Sequence, residues 1–208
     1  ENLLFILSSH YSQNGKLKKS IQCLDKIKEE FALSSELYYQ YGASYFVSEK
    51  YSEAIEYFKK SLELDVENED ALYDLAFCFE LEGKLDESIE FYQQFIDNDP
   101  YSCYAWYNLG VIYNKVHKFK EAINAFEYAY TIKPDFSSAY YNIGNSYVCL
   151  KEWDKAIANF NLCRKHESPS ADVYSKIGEC FELKDDYPKA IENYRKAIDL
   201  DPDKVSAL

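Results

Sequence analysis

Side chains able to do covalent or acid–base chemistry are scattered along this 208-residue chain. Its three histidines, His10, His117 and His166, are scattered over different repeats, and none joins a cysteine pair in a zinc knuckle. No glycine-rich phosphate loop, H-E-x-x-H or G-x-S-x-G run occurs. The six cysteines, Cys23, Cys78, Cys103, Cys149, Cys163 and Cys180, include no C-x-x-C pair. They read as small buried hydrophobes in a reducing compartment, which favours the cytoplasm. Asp185 and Asp186 read as surface charge. Asp70 and Asp74, four residues apart, are paired carboxylates that a cation could use, but no third ligand is specified. No catalytic residue, metal site or cofactor is therefore assigned, and the expectation is a protein that is not an enzyme.

The charge narrows the partner. Thirty-six acids against 23 bases give a formal charge of −13, and nucleic-acid binding needs a basic stripe instead. A basic protein partner and simple solubility are equally compatible with this excess. The longest apolar run, Leu3 to Leu7, is far shorter than the ~20 residues of a membrane span, so no membrane insertion is expected. Six glycines and five prolines are too few for a protein of many tight β-turns. The absence of methionine, with a start inside a helix-like pattern, suggests a fragment of something longer.

The elements that must carry these residues repeat. Isoleucine recurs at Ile21, Ile55, Ile89, Ile123, Ile157 and Ile191, always 34 residues apart. In the same register stand the aromatics Tyr11, Tyr45, Phe79, Tyr113, Tyr147 and Phe181. Small residues recur at Ser8, Gly42, Ala76, Gly110, Gly144 and Gly178, and again at Ser20, Ala54, Ser88, Ala122, Ala156 and Ala190. The repeats run 1–34, 35–68, 69–102, 103–136, 137–170 and 171–204 in a single array, and 205–208 would start a further helix.

Each repeat reads as two amphipathic helices. Trp106, Leu109, Gly110 and Tyr113 share one face, and Phe119, Ala122, Ile123 and Phe126 share another. Between them lies a break at His117-Lys118, where Gly15 and Gly83 stand in other repeats. Pro100, Pro134 and Pro202 end their units. The small positions let the two helices approach, and stacked neighbours bury what one hairpin cannot. His10 falls on a first helix, where it is expected to be packed.

Trp106, Leu109, Gly110, Tyr113, Ala122, Phe126, Ala129 and Pro134 resemble the tetratricopeptide repeat pattern W-x2-L-G-x2-Y…A-x3-F…A…P. Tyr174, Ile177, Gly178, Phe181, Ala190, Tyr194, Ala197 and Pro202 repeat it. Departures include Ser8 and Leu24 in the first repeat, Phe95 in the third, and Ala32, Val66 and Ser168 in place of the closing Pro, with Pro169 one residue on. The resemblance implies an all-α class, an α-α superhelix: a right-handed solenoid of six helix-turn-helix units with first helices lining the concave face.

In this family repeat positions 2, 5, 6, 9, 12 and 13 face the groove. Position 5 gives a tyrosine ladder, Tyr39, Tyr73, Tyr107 and Tyr141. Asp74, Asn108 and Asn142 occupy position 6, Tyr104 position 2 and Asn145 position 9. These nine residues are the candidate peptide-binding groove: amides that pair with an extended backbone, and phenols offering area at little entropy cost. The same ladder is also what an average member of the family would show.

The charges by repeat are +1, −4, −9, +1, +1 and −3. Repeats two and three line the groove with Glu36, Asp70, Asp74 and Glu80, which suits a partner with basic residues toward one end or is a solvated acidic surface. The Lys and Asn set by which some family members clamp an acidic carboxy-terminal tail is missing. Leu3 to Leu7 is too apolar for a solvated cap and reads as packing on upstream sequence; a greasy pocket is the other reading. Exposed ends would allow end-to-end self-association of the array.

The expected function is a protein–protein interaction scaffold or adaptor that holds a peptide segment or partner helix in the concave groove. The alternative is a substrate-recruiting or regulatory region of a larger enzyme or signalling protein.

Overall fold

The computed structural model describes residues 2–166 and 170–202. Twelve helices run through them, and no strand occurs among the described residues. In unit 1, residues 1–100, these are α1 (Asn2–Gln13), α2 (Leu17–Glu30), α3 (Ser35–Val47), α4 (Tyr51–Leu64), α5 (Glu69–Leu81) and α6 (Leu85–Asn98). Unit 2, residues 101–208, holds α7 (Cys103–Lys115), α8 (Phe119–Ile132), α9 (Ser137–Cys149), α10 (Trp153–His166), α11 (Ala171–Glu182) and α12 (Tyr187–Leu200). The all-α class holds. The further helix expected at 205–208, and the Ser168 and Pro169 departures, lie outside the described residues.

Two recurring positions set where the helices begin and end. The residue before four of the six first helices caps it: the side chains of Ser34, Asn68, Ser102 and Ser170 accept from the backbone N–H of Leu37, Ala71, Ala105 and Val173, whereas Phe136 before α9 makes no side-chain cap bond. Each satisfies one donor that a helix start leaves without a partner. The turn inside each hairpin needs one residue in the left-handed region. Gly15 and Gly83 take it at φ 69° and 68°, and Glu49, His117, Lys151 and Asp185 take it at 58–61°. The geometry is thus constant in register, while only two of the six positions carry the residue suited to it.

Within a hairpin, contact is made by a small residue against an aromatic ring. A Cβ added to Gly42, Gly110 or Gly144 would meet the ring of Phe58, Phe126 or Phe160 at 2.6, 2.6 and 2.5 Å, and one on Gly178 would meet Tyr194 at 2.8 Å. Two repeats depart from this pairing. Ser8 stands at the small position of the repeat that carries Leu24 in place of the ring, and Ala76 belongs to the repeat of fully buried Tyr92. The Tyr92 phenol reaches the Leu72 carbonyl, so its polar end is satisfied inside the core.

Small polar residues also sew hairpins together in unit 1. Ser8, Ser20 and Ser44 are buried and form a chain of hydroxyl hydrogen bonds, 2.7 Å at each step, from the first hairpin into the second. Ser35, Ser61 and Asn68 form a second set at 2.8–3.2 Å. In unit 2 two core clusters are apolar, with Ala122, Phe126, Ala139 and Ile143 in one and Ala156, Phe160, Ile177 and Cys180 in the next, while Asn108, Ser146 and Asn193 are also buried.

Candidate functional site

First helices lie side by side, α1, α3 and α5 in unit 1 and α7 and α9 in unit 2. The nine candidate residues all sit on such helices, three in unit 1 and six in unit 2. In three hairpins the ring at position 5 rests on the core aromatic of its own hairpin. Tyr39 packs on Phe58 at 5.7 Å, Tyr107 on Phe126 at 5.5 Å and Tyr141 on Phe160 at 5.6 Å. The ring is therefore held by the same aromatic that fills the glycine notch.

The phenol then reaches the next repeat. In unit 2 the Asn142 amide donates to the Tyr107 oxygen at 3.0 Å and to the Ser138 carbonyl at 2.9 Å. In unit 1 the Tyr39 hydroxyl donates to Asp74 Oδ2 at 3.1 Å. Position 5 thus joins position 6 of the following repeat in both units, with the polarity of the contact reversed.

Further bonds extend the unit 2 surface. The Ser146 hydroxyl donates to Asn114 Oδ1 at 2.8 Å and lies 2.9 Å from the Asn142 carbonyl. Tyr104 and Tyr107 both pack on Phe136, and Lys133 donates to the Tyr104 hydroxyl at 2.9 Å. Asn145 is half-buried, whereas Asn108 is 6% exposed and offers almost no surface to a ligand.

The unit 1 surface is acidic and open. Tyr73 is 65% exposed, and Asp70 beside it is exposed. Burial pushes the Asp74 carboxyl above its ordinary value, and Asp70 adds to the effect while the Tyr39 hydrogen bond opposes it. Burial, with the Asp74 charge, also raises the Tyr39 phenol. Phe77 and Leu81 are exposed on the same helix and Val47 on α3. These apolar residues, absent from the candidate set, occupy positions 9 and 13 of the repeat; the register marked the positions, but their side chains look like core.

Two expectations change, for His10 and Cys149. His10 is exposed at the surface, and its ring lies against Tyr11. His166 stacks on Tyr140 at 5.3 Å and 7°, extending a stack that begins with Tyr130. Cys149 is exposed, in contrast to buried Cys78, Cys103, Cys163 and Cys180. Burial pushes the Cys78 thiol up to about 12 and the Cys180 thiol up to about 11, so neither is a ready nucleophile.

Among the described residues no three His, Cys, Asp or Glu side chains gather as a metal site would need. No described helix is long and apolar enough to cross a membrane.

Comparison with known families decides the class. Models described as tetratricopeptide repeat match residues 39–102, and 103–136 with 171–204. The chain belongs to the tetratricopeptide repeat family. Among solved structures, MamA is 26% identical with a TM-score of 0.68, over 79% of this chain and 96% of that one. TTC0263 from Thermus thermophilus, a thermophilic tetratricopeptide repeat protein, is 18% identical with a TM-score of 0.62, over 83% and 94%. YrrB, a tetratricopeptide repeat protein with an unusual peptide-binding site, is 21% identical with a TM-score of 0.64, over 86% and 93%. The last two share the fold at identities too low to carry more. No curated protein matches the chain in sequence. Tetratricopeptide repeats serve generally as scaffolds for protein interaction, and this array falls in that class.

Proposed function

We propose that each unit of this array holds a peptide segment or partner helix against its first-helix faces, through the groove residues Tyr39, Tyr73 and Asp74 in unit 1 and Tyr104, Tyr107, Tyr141, Asn142 and Asn145 in unit 2. The observation that carries the reading is the Tyr107–Asn142 pair. Both donors of the Asn142 amide are engaged, by Tyr107 and by Ser138. The oxygen left over is the atom suited to accept a backbone N–H, and it is fixed before any ligand arrives. Preorganised polar atoms between partly exposed rings favour binding, because little rotamer freedom remains to be lost. That YrrB has a peptide-binding site on the same fold is compatible with this reading.

A displayed peptide library selected on the protein tests it. Selected peptides should lose at least about tenfold in affinity to Tyr107→Ala/Asn142→Ala. Tyr128→Ala, an exposed residue on second helix α8, should leave affinity unchanged. Equal binding to wild type and the double variant would remove Tyr107 and Asn142 from the site.

A further inference from the structure

The first-helix face of unit 1 carries a surface that identifies its partner more narrowly. Tyr73, Phe77 and Leu81 stand at i, i+4 and i+8 on α5 and are 65%, 41% and 45% exposed. At 1.5 Å per residue they form an apolar row about 12 Å long, parallel to the helix axis. Phe46 on α3 packs on Phe77 at 5.8 Å, which joins the row to exposed Val47. A soluble surface needs a reason to keep such a row uncovered.

The charge beside the row is of one sign. Asp70 and Asp74 lie on the same face of α5, one turn apart, and the helix holds no basic residue. Residues 69–102 contain ten acids and a single base, Lys84. Lys84 is already paired with Glu82 at 2.5 Å and donates to Ser52 at 3.3 Å. Asp74 meets a phenol but no cation, which is why burial holds its carboxyl above the ordinary range. No described residue therefore neutralises this face.

We infer that α5, with the edge of α3, docks a basic amphipathic helix, whose apolar side chains cover Tyr73, Phe77 and Leu81 and whose Lys or Arg side chains meet Asp70 and Asp74. An apolar row along a helix axis matches the i, i+4 anchors of a partner helix, whereas an extended segment presents side chains at a different interval. A second copy of this chain is disfavoured as the occupant, since it brings the same acids. This assignment rests on the proposed interaction role of the first-helix faces and names the partner class for unit 1.

Fluorescence anisotropy with three labelled peptides of about 18 residues tests it: an amphipathic Leu/Lys helix, the same pattern in Leu/Glu, and a Gly/Ser/Lys chain of equal charge. The Leu/Lys peptide should bind about tenfold tighter than either other peptide. Asp70→Asn/Asp74→Asn, which keeps an acceptor for Tyr39, should weaken it about tenfold, and so should Phe77→Ser/Leu81→Ser. Glu87→Gln/Glu90→Gln removes two exposed charges from α6 and should have less than about a twofold effect. Equal loss in that control, or equal affinity for the Gly/Ser/Lys chain, overturns the inference as non-specific attraction. Self-association through this face, seen as a mass that rises with concentration and falls in Phe77→Ser/Leu81→Ser, also overturns it. Loss of the Leu/Lys peptide in Tyr107→Ala/Asn142→Ala but not in the α5 variants overturns the inference and leaves the broader reading standing. Failure of all three peptides, and of library selection, removes both.

Discussion

Asn142 on α9 donates its amide to the phenol of Tyr107 on α7 at 3.0 Å, and two repeats earlier the equivalent contact runs the other way, Tyr39 donating to Asp74 at 3.1 Å. One register position thus makes a phenol an acceptor in unit 2 and a donor in unit 1. A double-mutant cycle of Tyr107→Phe and Asn142→Ala should return a coupling of about 0.5–1.5 kcal/mol in chemical denaturation. Additive losses would mean that the pair is not energetically linked.

Asp74 should make its own contribution to stability fall as pH rises. Its native carboxyl lies above the ordinary value of 3.8, so the folded chain binds more protons than the unfolded chain between the two values. The penalty is absent below 3.8 and complete above the raised value. Asp74→Asn should therefore gain on wild type as pH rises through that window. Denaturation midpoints at several pH values check this, since all other carboxylates are common to both proteins.

Ser20 and Ser88 occupy the same position of their repeats, yet the change to alanine should have opposite signs. Ser20 bridges Ser8 and Ser44, so Ser20→Ala strands two buried hydroxyls and should cost about 1–2 kcal/mol. The Ser88 hydroxyl is buried with no partner, so Ser88→Ala should stabilise by about 1 kcal/mol. Thermal melts of the two variants decide it.

Gly144→Ala places a Cβ 2.5 Å from the Phe160 ring and should cost about 1–3 kcal/mol. Pairing it with Phe160→Leu imitates the Ser8 and Leu24 combination of the first repeat. The double variant should be more stable than the sum of the single losses predicts, by calorimetry.

Lys151→Gly relieves a left-handed lysine at φ 61° on an exposed turn and should stabilise by about 0.5–1 kcal/mol. Gly83→Ala, at φ 68°, should lose a similar amount. No change in either melt would mean that the turn relaxes freely.

The helical hairpins were legible because their cause is periodic. Ile55, Ala54 and Gly42 announce the helix contact by size and spacing alone. The left-handed turn was marked by Gly15 and Gly83 and by the break at His117, whereas at Glu49 and Lys151 the backbone imposes it on residues with no preference for it. The site was half legible. Register placed Tyr107 beside the face, but whether its oxygen gives or takes a proton depends on the residue 35 positions on. Asn108 has the same type and position as Asn142 and is buried. Phe77 and Leu81 were hidden by their chemistry, since an exposed apolar residue and a core residue read alike in one dimension.

Hydrogen bonds that join successive hairpins close over short stretches of chain, 24 residues from Ser20 to Ser44 and 35 from Tyr107 to Asn142. A chain leaving the ribosome therefore needs only one more repeat to complete each junction, and it can harden behind the exit tunnel while its later repeats are still unmade.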